Sequence, residues 1–308
     1  MQPIQIIKGG IHLAGLLFQP DSDNKTLESG VNSTLPGVVV IHPGGGVKEQ
    51  AATVYAQRLS EQGFVAVAYD AAHQGDSGGL PRFLKDPNAR VSDASAVADY
   101  LEKLPYVDSE RILVVGICAG GAYAAAAAKG DHRFKAVAMV SAVNIGDGTR
   151  LGWYGTEDAL GKVALLEEAA ERIANESTGA EPGIVHYVPP KPDENTPYDL
   201  RDASNYYLTP RAQHPNAQNK MIDRSTPLLV GFDAWIYTEL YLTNPVLIIV
   251  GELAESKWHS DRIYNKLNGT NPNVRMITMP NGRHMDFYDQ DEYVNPAIRE
   301  ITDFFNRI

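Results

Sequence analysis

The single cysteine of the chain, Cys118, stands in the segment GICAGG at residues 116–121. Glycines two residues before and two residues after a nucleophile, between a strand and a helix, are typical of a nucleophile elbow. Such a turn exposes the side chain above a sheet, and the N-terminus of the following helix favours a thiolate. We therefore predict that Cys118 is a nucleophile. We also predict that the backbone N–H of Ala119 stabilises the oxyanion that forms when the thiolate attacks a carbonyl.

A cysteine nucleophile needs a base, and the base needs an acid that orients it. His284 comes shortly after the last predicted strand, which ends at Met279, and is the candidate base. Glu255 follows the preceding strand and is the candidate acid, with Glu252 as the alternative three residues earlier. The chain order of nucleophile, acid and histidine is one that a large class of enzymes with parallel sheets uses.

A second oxyanion donor is expected from the glycine loop HPGGG at residues 42–46, which follows the first buried strand. Glycine lets a backbone N–H approach a reacting oxygen closely, so Gly44 or Gly45 is the candidate donor. His42 is expected to be structural. The loop lacks the Gly-Lys-Ser/Thr of a phosphate-binding loop, and no Gly-x-Gly-x-x-Gly follows a strand, so nucleotide binding is not predicted.

The elements that must position these residues alternate between strand and helix. Gly9-Gly10 joins two strands of a hairpin, and residues 20–36 are polar and irregular. Buried apolar runs predict strands, and periodic apolar residues predict helices. The predicted strands cover 37–41, 64–69, 111–115, 134–141, 245–250 and 274–279, and the predicted helices cover 48–62, 88–104, 122–129, 261–267 and 296–308. This alternation predicts an α/β fold with a mostly parallel sheet and helices on both faces.

The alternation is interrupted between residues 145 and 243, where helical stretches surround a proline-rich loop. We predict a core of residues 1–144 and 244–308 and a cap formed by residues 145–243. Trp153 and Tyr207 of this insertion are candidate substrate contacts, as is His73 in a loop near the catalytic edge. Arg211 is expected to pack the insertion against the core.

Composition narrows the range of partners and cofactors. The formal charge of −11 argues against nucleic acid and anionic membranes as partners. One cysteine permits no internal disulfide, and no basic and apolar leader begins the chain, so a cytoplasmic location is expected. No metal is predicted, because the histidines show no paired ligand spacing, and the sequence implies no organic cofactor.

Several motifs together resemble one family. They are HPGGGVKEQ at 42–50, YDAAHQGDS at 69–77, GICAGG at 116–121, YYLTPRAQHPN at 206–216 and HMDFYD at 284–289. The chain resembles α/β-hydrolases of the dienelactone-hydrolase-like branch, including bacterial hydrolases and fungal polyketide transferases. The resemblance covers nearly the whole chain and implies a Cys-acid-His triad. It departs at Glu255, because the family usually carries aspartate there.

The resulting hypothesis is hydrolysis of an ester, lactone or thioester through an acyl enzyme on Cys118. The substrate would be a small acyl compound, free or attached to a carrier. The first alternative is transfer of the acyl group to an alcohol, which the resemblance to polyketide transferases implies. The second is non-covalent binding or cyclisation of a small molecule without use of the thiol.

Overall fold

A computed structural model describes residues 1–20 and 34–308, and an eight-stranded sheet forms its centre. The predicted α/β alternation is confirmed. The strands are β1 (Gln2–Lys8), β2 (Ile11–Phe18), β3 (Leu35–Ile41), β4 (Val65–Tyr69), β5 (Val107–Ile117), β6 (Phe134–Val140), β9 (Val246–Gly251) and β10 (Val274–Met279). Their order across the sheet is β1-β2-β4-β3-β5-β6-β9-β10.

The sheet is parallel from β4 to β10, and the β1–β2 hairpin adds two antiparallel strands at one edge. The chain passes from β3 to β4 on one side and then returns to β5 on the other side of β3. In open α/β sheets, ligands bind beyond the carboxyl ends of the strands at such a reversal of strand order. Ile41 pairs with Gly116 there, so the glycine loop and the cysteine turn leave the sheet as neighbours.

Helices cover both faces of the sheet, as the sequence predicts. One face packs on α2 (Pro87–Leu101), α3 (Ala119–Gly130) and α9 (Lys257–Leu267), and the other on α1 (Thr53–Glu61) and α11 (Asp291–Phe305). The alanines of α3 are buried and allow this helix to lie close to β5 and β6. The result is a pair of apolar cores, one on each side of the strands.

The insertion, which we define as residues 145–243, lies between β6 and β9 in the chain. It carries five α-helices and one short two-stranded sheet. Its elements are α4 (Ile145–Leu151), α5 (Lys162–Glu176), β7 (Ile184–Val185), α6 (Tyr198–Leu208), β8 (Met221–Ile222), α7 (Ser225–Gly231) and α8 (Thr238–Tyr241).

Several helix boundaries differ from the sequence expectation; α9, for example, begins four residues earlier, at Lys257. The helix predicted from residue 48 begins with a turn of π-helix, Lys48–Ala52, before α1. The last helix begins at Asp291, so Pro296 is inside α11 and removes one backbone hydrogen bond near its first turn. Most of the irregular segment predicted at 20–36 lies outside the described residues. Among the described residues, no helix combines the length and apolarity that crossing a membrane requires.

Candidate active site

Cys118 occupies a strained turn between β5 and α3. Its backbone has φ 56° and ψ −123°, a left-handed conformation that is unusual for a residue with a Cβ. A Cβ at Gly116 would lie 2.0 Å from the carbonyl oxygen of Gly120, and one at Gly120 would lie 2.3 Å from the carbonyl oxygen of Ile41. The spacing of the two glycines is therefore a steric requirement of the turn, and the predicted elbow geometry is present.

The thiol of Cys118 faces two polar side chains, the imidazole of His284 and the hydroxyl of Tyr288. Burial raises the pKa of the thiol. The charge of His284, the hydrogen bonds from His284 and Tyr288, and the N–H of Ala119 outweigh it and lower the pKa from 9.0 to about 7. A substantial fraction of thiolate at neutral pH follows, which is what a cysteine nucleophile needs.

His284 is buried and both ring nitrogens have neighbours. Nδ1 lies 2.6 Å from Oγ of Ser256, and Nε2 lies 3.3 Å from the hydroxyl of Tyr288. Burial lowers the pKa of His284, but the charge of Cys118, their hydrogen bond and the charge of Asp199 raise it overall. The thiol and the imidazole therefore favour each other's ionised form.

No hydrogen bond joins Glu255 to His284, so the expectation that Glu255 orients the imidazole is wrong for this structure. Its carboxylate accepts hydrogen bonds from the backbone N–H groups of Tyr198 (3.0 Å) and Asp199 (2.9 Å) and from the indole of Trp153 (2.8 Å). Burial raises the pKa of Glu255, and these hydrogen bonds lower it below its ordinary value. The reason is local: the N-terminus of α6 presents free N–H groups that attract a carboxylate.

The alternative acid, Glu252, is exposed and accepts a hydrogen bond from the backbone N–H of Asn281 at 3.1 Å. Neither predicted carboxylate therefore accepts a hydrogen bond from Nδ1 of His284. The hydroxyl of Ser256, directly after Glu255, takes that position instead.

A carboxylate from the insertion supplies negative charge near His284. Asp199 on α6 is buried, and its Oδ2 accepts a hydrogen bond from the backbone N–H of Glu255 at 2.7 Å. Its Oδ1 has no hydrogen-bond partner among the described residues, and Nη1 of Arg283 is 3.9 Å away. Burial raises the pKa of Asp199, while the charge of His284 opposes that change.

The glycine loop lies against the elbow, as the sequence predicts. Gly44, Gly45 and Ala119 line the same cavity as Cys118. A Cβ built on Gly44 would be 3.5 Å from the Cβ of Ala119, which places the two candidate oxyanion donors side by side. His42 is buried beneath the loop, and burial together with the charge of Arg90 lowers the pKa of its imidazole.

The cavity above Cys118 has a volume of about 100 Å³. Trp153 and Tyr207 of the insertion line it, together with other apolar side chains on the same side, whereas His73 does not. Nδ1 of His73 lies 3.1 Å from the carbonyl oxygen of Pro81 and serves the loop after β4. Two of the three predicted substrate contacts are therefore placed at the cavity.

The sequence does not predict four residues that lie in the cavity wall or beside His284: Lys85, Asp199, Ser256 and Tyr288. Tyr288 was predictable from its spacing, because it stands four residues after His284 and α10 (Asp286–Asp289) places it beside the histidine. Lys85 lies in a loop and Asp199 in the insertion, where spacing in the chain carries no information about the cavity.

Arg211 binds Asp289 of the core through Nε at 2.7 Å, which confirms its predicted packing role.

Outside this site, Glu49, Asp70 and Asp76 form the one group within the described ranges that has the spacing of metal ligands. Nζ of Lys48 lies 2.6, 2.8 and 2.7 Å from their carboxylates. The ammonium group thus already supplies the positive charge, and the cluster joins the glycine loop to the loop after β4.

Comparison with known proteins agrees with the α/β fold. Residues 25–176 match the dienelactone hydrolase family. The uncharacterized protein YcjY of Escherichia coli (strain K12) is 40% identical over 96% of this chain and 94% of its own length. The crystal structure of hypothetical protein PA2218 from Pseudomonas aeruginosa superposes with a TM-score of 0.90 at 28% identity, covering 99% of this chain and 92% of that one. A thiohydrolase of Eupenicillium brefeldianum is 38% identical over 40% of this chain and 37% of its own.

The fold and the neighbours define an enzyme of the α/β-hydrolase class. Within that class, the chain belongs to the dienelactone hydrolase family.

Proposed function

We propose that this protein hydrolyses esters or thioesters of short acyl groups through a covalent acyl enzyme on Cys118. The observation that carries the proposal is the strained placement of Cys118 opposite His284, which lowers the pKa of the thiol to about 7. The similarity to a thiohydrolase supports a thioester as the substrate of this protein. The cavity of about 100 Å³ suits an acyl chain of several heavy atoms.

In the first half-reaction His284 holds the proton of the Cys118 thiol, and Sγ attacks the acyl carbon. The carbonyl electron pair moves to oxygen, where the N–H of Ala119 and that of Gly44 or Gly45 stabilise the charge. When the carbonyl re-forms, the bond from carbon to the leaving group breaks. The leaving group takes the proton from Nε2 of His284.

In the second half-reaction His284 removes a proton from water, and the water oxygen attacks the thioester carbon. The bond from carbon to Sγ then breaks, which releases a carboxylic acid and restores the thiol and imidazole. In both half-reactions, Oγ of Ser256 accepts a hydrogen bond from the Nδ1–H of His284. Nε2 of His284 therefore remains available to exchange protons with the reacting groups. Residues 145–243 act as a cap, since side chains from the insertion form one wall of the cavity.

The proposal is tested by steady-state hydrolysis of an N-acetylcysteamine thioester of butanoic acid. Replacing Cys118 or His284 with alanine should lower kcat/KM by at least about 10³-fold, as removal of a nucleophile or its base does. His132→Ala is the matched control, because His132 is exposed and follows the C-terminal end of α3, whereas Cys118 precedes the N-terminal end of this helix. Full activity of Cys118→Ala would refute the acyl-enzyme mechanism.

Acyl transfer to an alcohol is the second candidate. It is favoured by the apolar wall that the insertion places over the thiol, since such a wall restricts water near the acyl enzyme. Hydrolysis and transfer separate in a partition experiment, in which ester and free acid are measured at increasing alcohol concentration. Formation of free acid alone at every concentration removes the transferase reading.

A further inference from the structure

A lysine is buried in the wall of the catalytic cavity without an ionic partner. Lys85 is 1% exposed and lines the cavity together with Cys118. Its Nζ makes no hydrogen bond and no salt bridge in the part of the chain that the structure describes. Nζ lies 4.4 Å from the centroid of the Tyr187 ring. A buried amine in this state lowers stability unless a ligand satisfies it.

The loop after β4 holds Lys85 in this position. The backbone N–H of Lys85 donates to Oγ of Ser225 in the insertion at 2.9 Å, and the neighbouring Phe83 accepts from the N–H of Ile222. Burial and the charge of Arg90 lower the pKa of Lys85, whereas the charge of Cys118 raises it. The backbone on which Lys85 stands is therefore held by the insertion, although Nζ has no hydrogen-bond partner among the described residues.

The position of Nζ shows which part of a substrate it would meet. A Cβ built on Gly44 would be 2.5 Å from Nζ of Lys85 and 3.5 Å from the Cβ of Ala119. Lys85 thus borders the two candidate oxyanion donors, and an oxygen that it binds must lie close to the reacting carbonyl. None of the residues that line the cavity is an aspartate or a glutamate, so no carboxylate would repel such an oxygen.

We propose that Lys85 recognises a second oxygen on the acyl group, two carbons from the reacting carbon, and that the preferred substrates are 3-oxoacyl thioesters or esters. This inference rests on the proposed acyl-enzyme function and adds its substrate class. In a 3-oxoacyl group the two oxygens can point to the same side. One would then meet the backbone donors at Ala119 and Gly44, and the other would accept a hydrogen bond from Nζ. Neither contact requires a change in the covalent steps.

The test compares three N-acetylcysteamine thioesters with four-carbon acyl groups: butanoyl, 3-oxobutanoyl and 3-carboxypropanoyl. For wild type and Lys85→Met, kcat/KM is measured for each, with the uncatalysed rate subtracted. The ratio of 3-oxobutanoyl to butanoyl should fall by about 10- to 100-fold in Lys85→Met, which is the effect of leaving a buried substrate oxygen without a hydrogen-bond donor. Because the ratio is taken within one variant, a change in the folded fraction does not affect it.

Lys129→Met is the matched control, since Lys129 is a half-buried lysine that donates to the carbonyls of Ala234 and Ile236 away from the cavity. It should leave the ratio unchanged. Lys85→Met should also unfold at the same temperature as wild type or higher, because it removes an unpaired buried amine.

Three outcomes would overturn the inference. An equal loss on butanoyl and 3-oxobutanoyl would mean that Lys85 serves the reacting carbonyl alone. A wild-type preference for 3-carboxypropanoyl that Lys85→Met abolishes would place the recognised oxygen at the far end of the chain. Unchanged kcat/KM values for both butanoyl and 3-oxobutanoyl would leave Lys85 without a role in recognition. In each case, Cys118-dependent cleavage of butanoyl would still support the proposed function, whereas cleavage independent of Cys118 would refute that function itself.

Discussion

The ionisation of Cys118 results from two opposed effects. Burial raises the pKa of the thiol, and the nearby His284 and Tyr288 together with the N–H of Ala119 lower it to about 7. His284 contributes the largest of the lowering effects, through its charge and its hydrogen bond. The reactivity of the thiol should therefore depend on this histidine more than on the helix that follows.

The first prediction concerns this dependence. The rate of alkylation of Cys118 by iodoacetamide, measured against pH, should follow a pKa of about 7 in wild type. In His284→Ala the positive charge is gone while burial remains, so the pKa should rise above the ordinary thiol value of 9.0. Equal pKa values in the two proteins would contradict the assignment of His284 as the partner of the thiol.

The second prediction separates Ser256 from Glu255 as the group that orients His284. Ser256→Ala removes the partner of Nδ1 and should lower kcat by roughly tenfold, the effect of one buried hydrogen bond. Glu255→Gln should change kcat by less than about threefold, because its carboxylate contacts α6 and Trp153. A loss of kcat near 10⁴-fold in Glu255→Gln, typical of a triad acid, would show that the carboxylate turns toward His284 during catalysis.

At the scale of elements, the elbow depends on the close approach of three backbones. Gly120 of α3 lies against the end of β3, and Gly116 of β5 lies against the first turn of α3. The nucleophile is therefore placed by packing between strand and helix as well as by the turn itself.

The third prediction tests this packing. Gly120→Ala would place a Cβ 2.3 Å from the carbonyl oxygen of Ile41, a backbone atom that cannot move aside cheaply. We expect the free energy of unfolding in urea to fall by about 3 kcal/mol. Gly130→Ala, at the other end of the same helix, meets no atom within 4 Å and should be neutral or stabilising by up to about 1 kcal/mol. Similar stabilities of the two variants would contradict the close approach.

Glu255 joins the core to the insertion by capping the N-terminus of α6. The bonding is reciprocal, since the backbone N–H of Glu255 donates to Asp199 and the N–H of Asp199 donates to Glu255. Loss of the charge should loosen α6 and with it the wall that carries Leu200, Ala203 and Tyr207.

The fourth prediction follows from the lowered pKa of Glu255. A carboxyl group whose pKa falls on folding stabilises the protein above its unfolded pKa, and this contribution is lost as the pH falls through the folded pKa. Wild type should therefore be more stable than Glu255→Gln at pH 7, and the difference should shrink below pH 4.5, the ordinary value of the group. Thermal unfolding of wild type and Glu255→Gln at pH 7 and at a pH below 4.5 measures the difference in stability. A difference in stability that does not change with pH would refute the capping role.

At the scale of the whole molecule, local patterns in the sequence predict the frame of the site. The apolar runs of β3, β5, β9 and β10 fix which loops share one edge of the sheet, and the glycines at 116 and 120 fix the turn at Cys118. Strand order then brings the loop of His284 to the same edge. These features depend on neighbours in the chain or on the regular geometry of a parallel sheet.

The contacts of Glu255 and Lys85 depend on segments that are distant in the chain. One sequence does not show which of several possible partners such a side chain binds. Glu255 stands in the expected loop, but the free N–H groups of α6, more than 50 residues earlier, compete for its carboxylate. Lys85 reaches the cavity because its loop binds Ser225 of the insertion. In both cases, contacts with the insertion determine the position of a core residue.

Intact-protein mass spectrometry tests most directly whether a covalent acyl enzyme forms on Cys118. The protein is mixed with butanoyl-N-acetylcysteamine, quenched in acid within seconds and compared with His284→Ala and Cys118→Ala. Wild type should gain one butanoyl group, mapped to Cys118 after proteolysis, and Cys118→Ala should gain none. Thioester cleavage by wild type with no adduct at any quench time, or the same adduct on Cys118→Ala, would contradict the account.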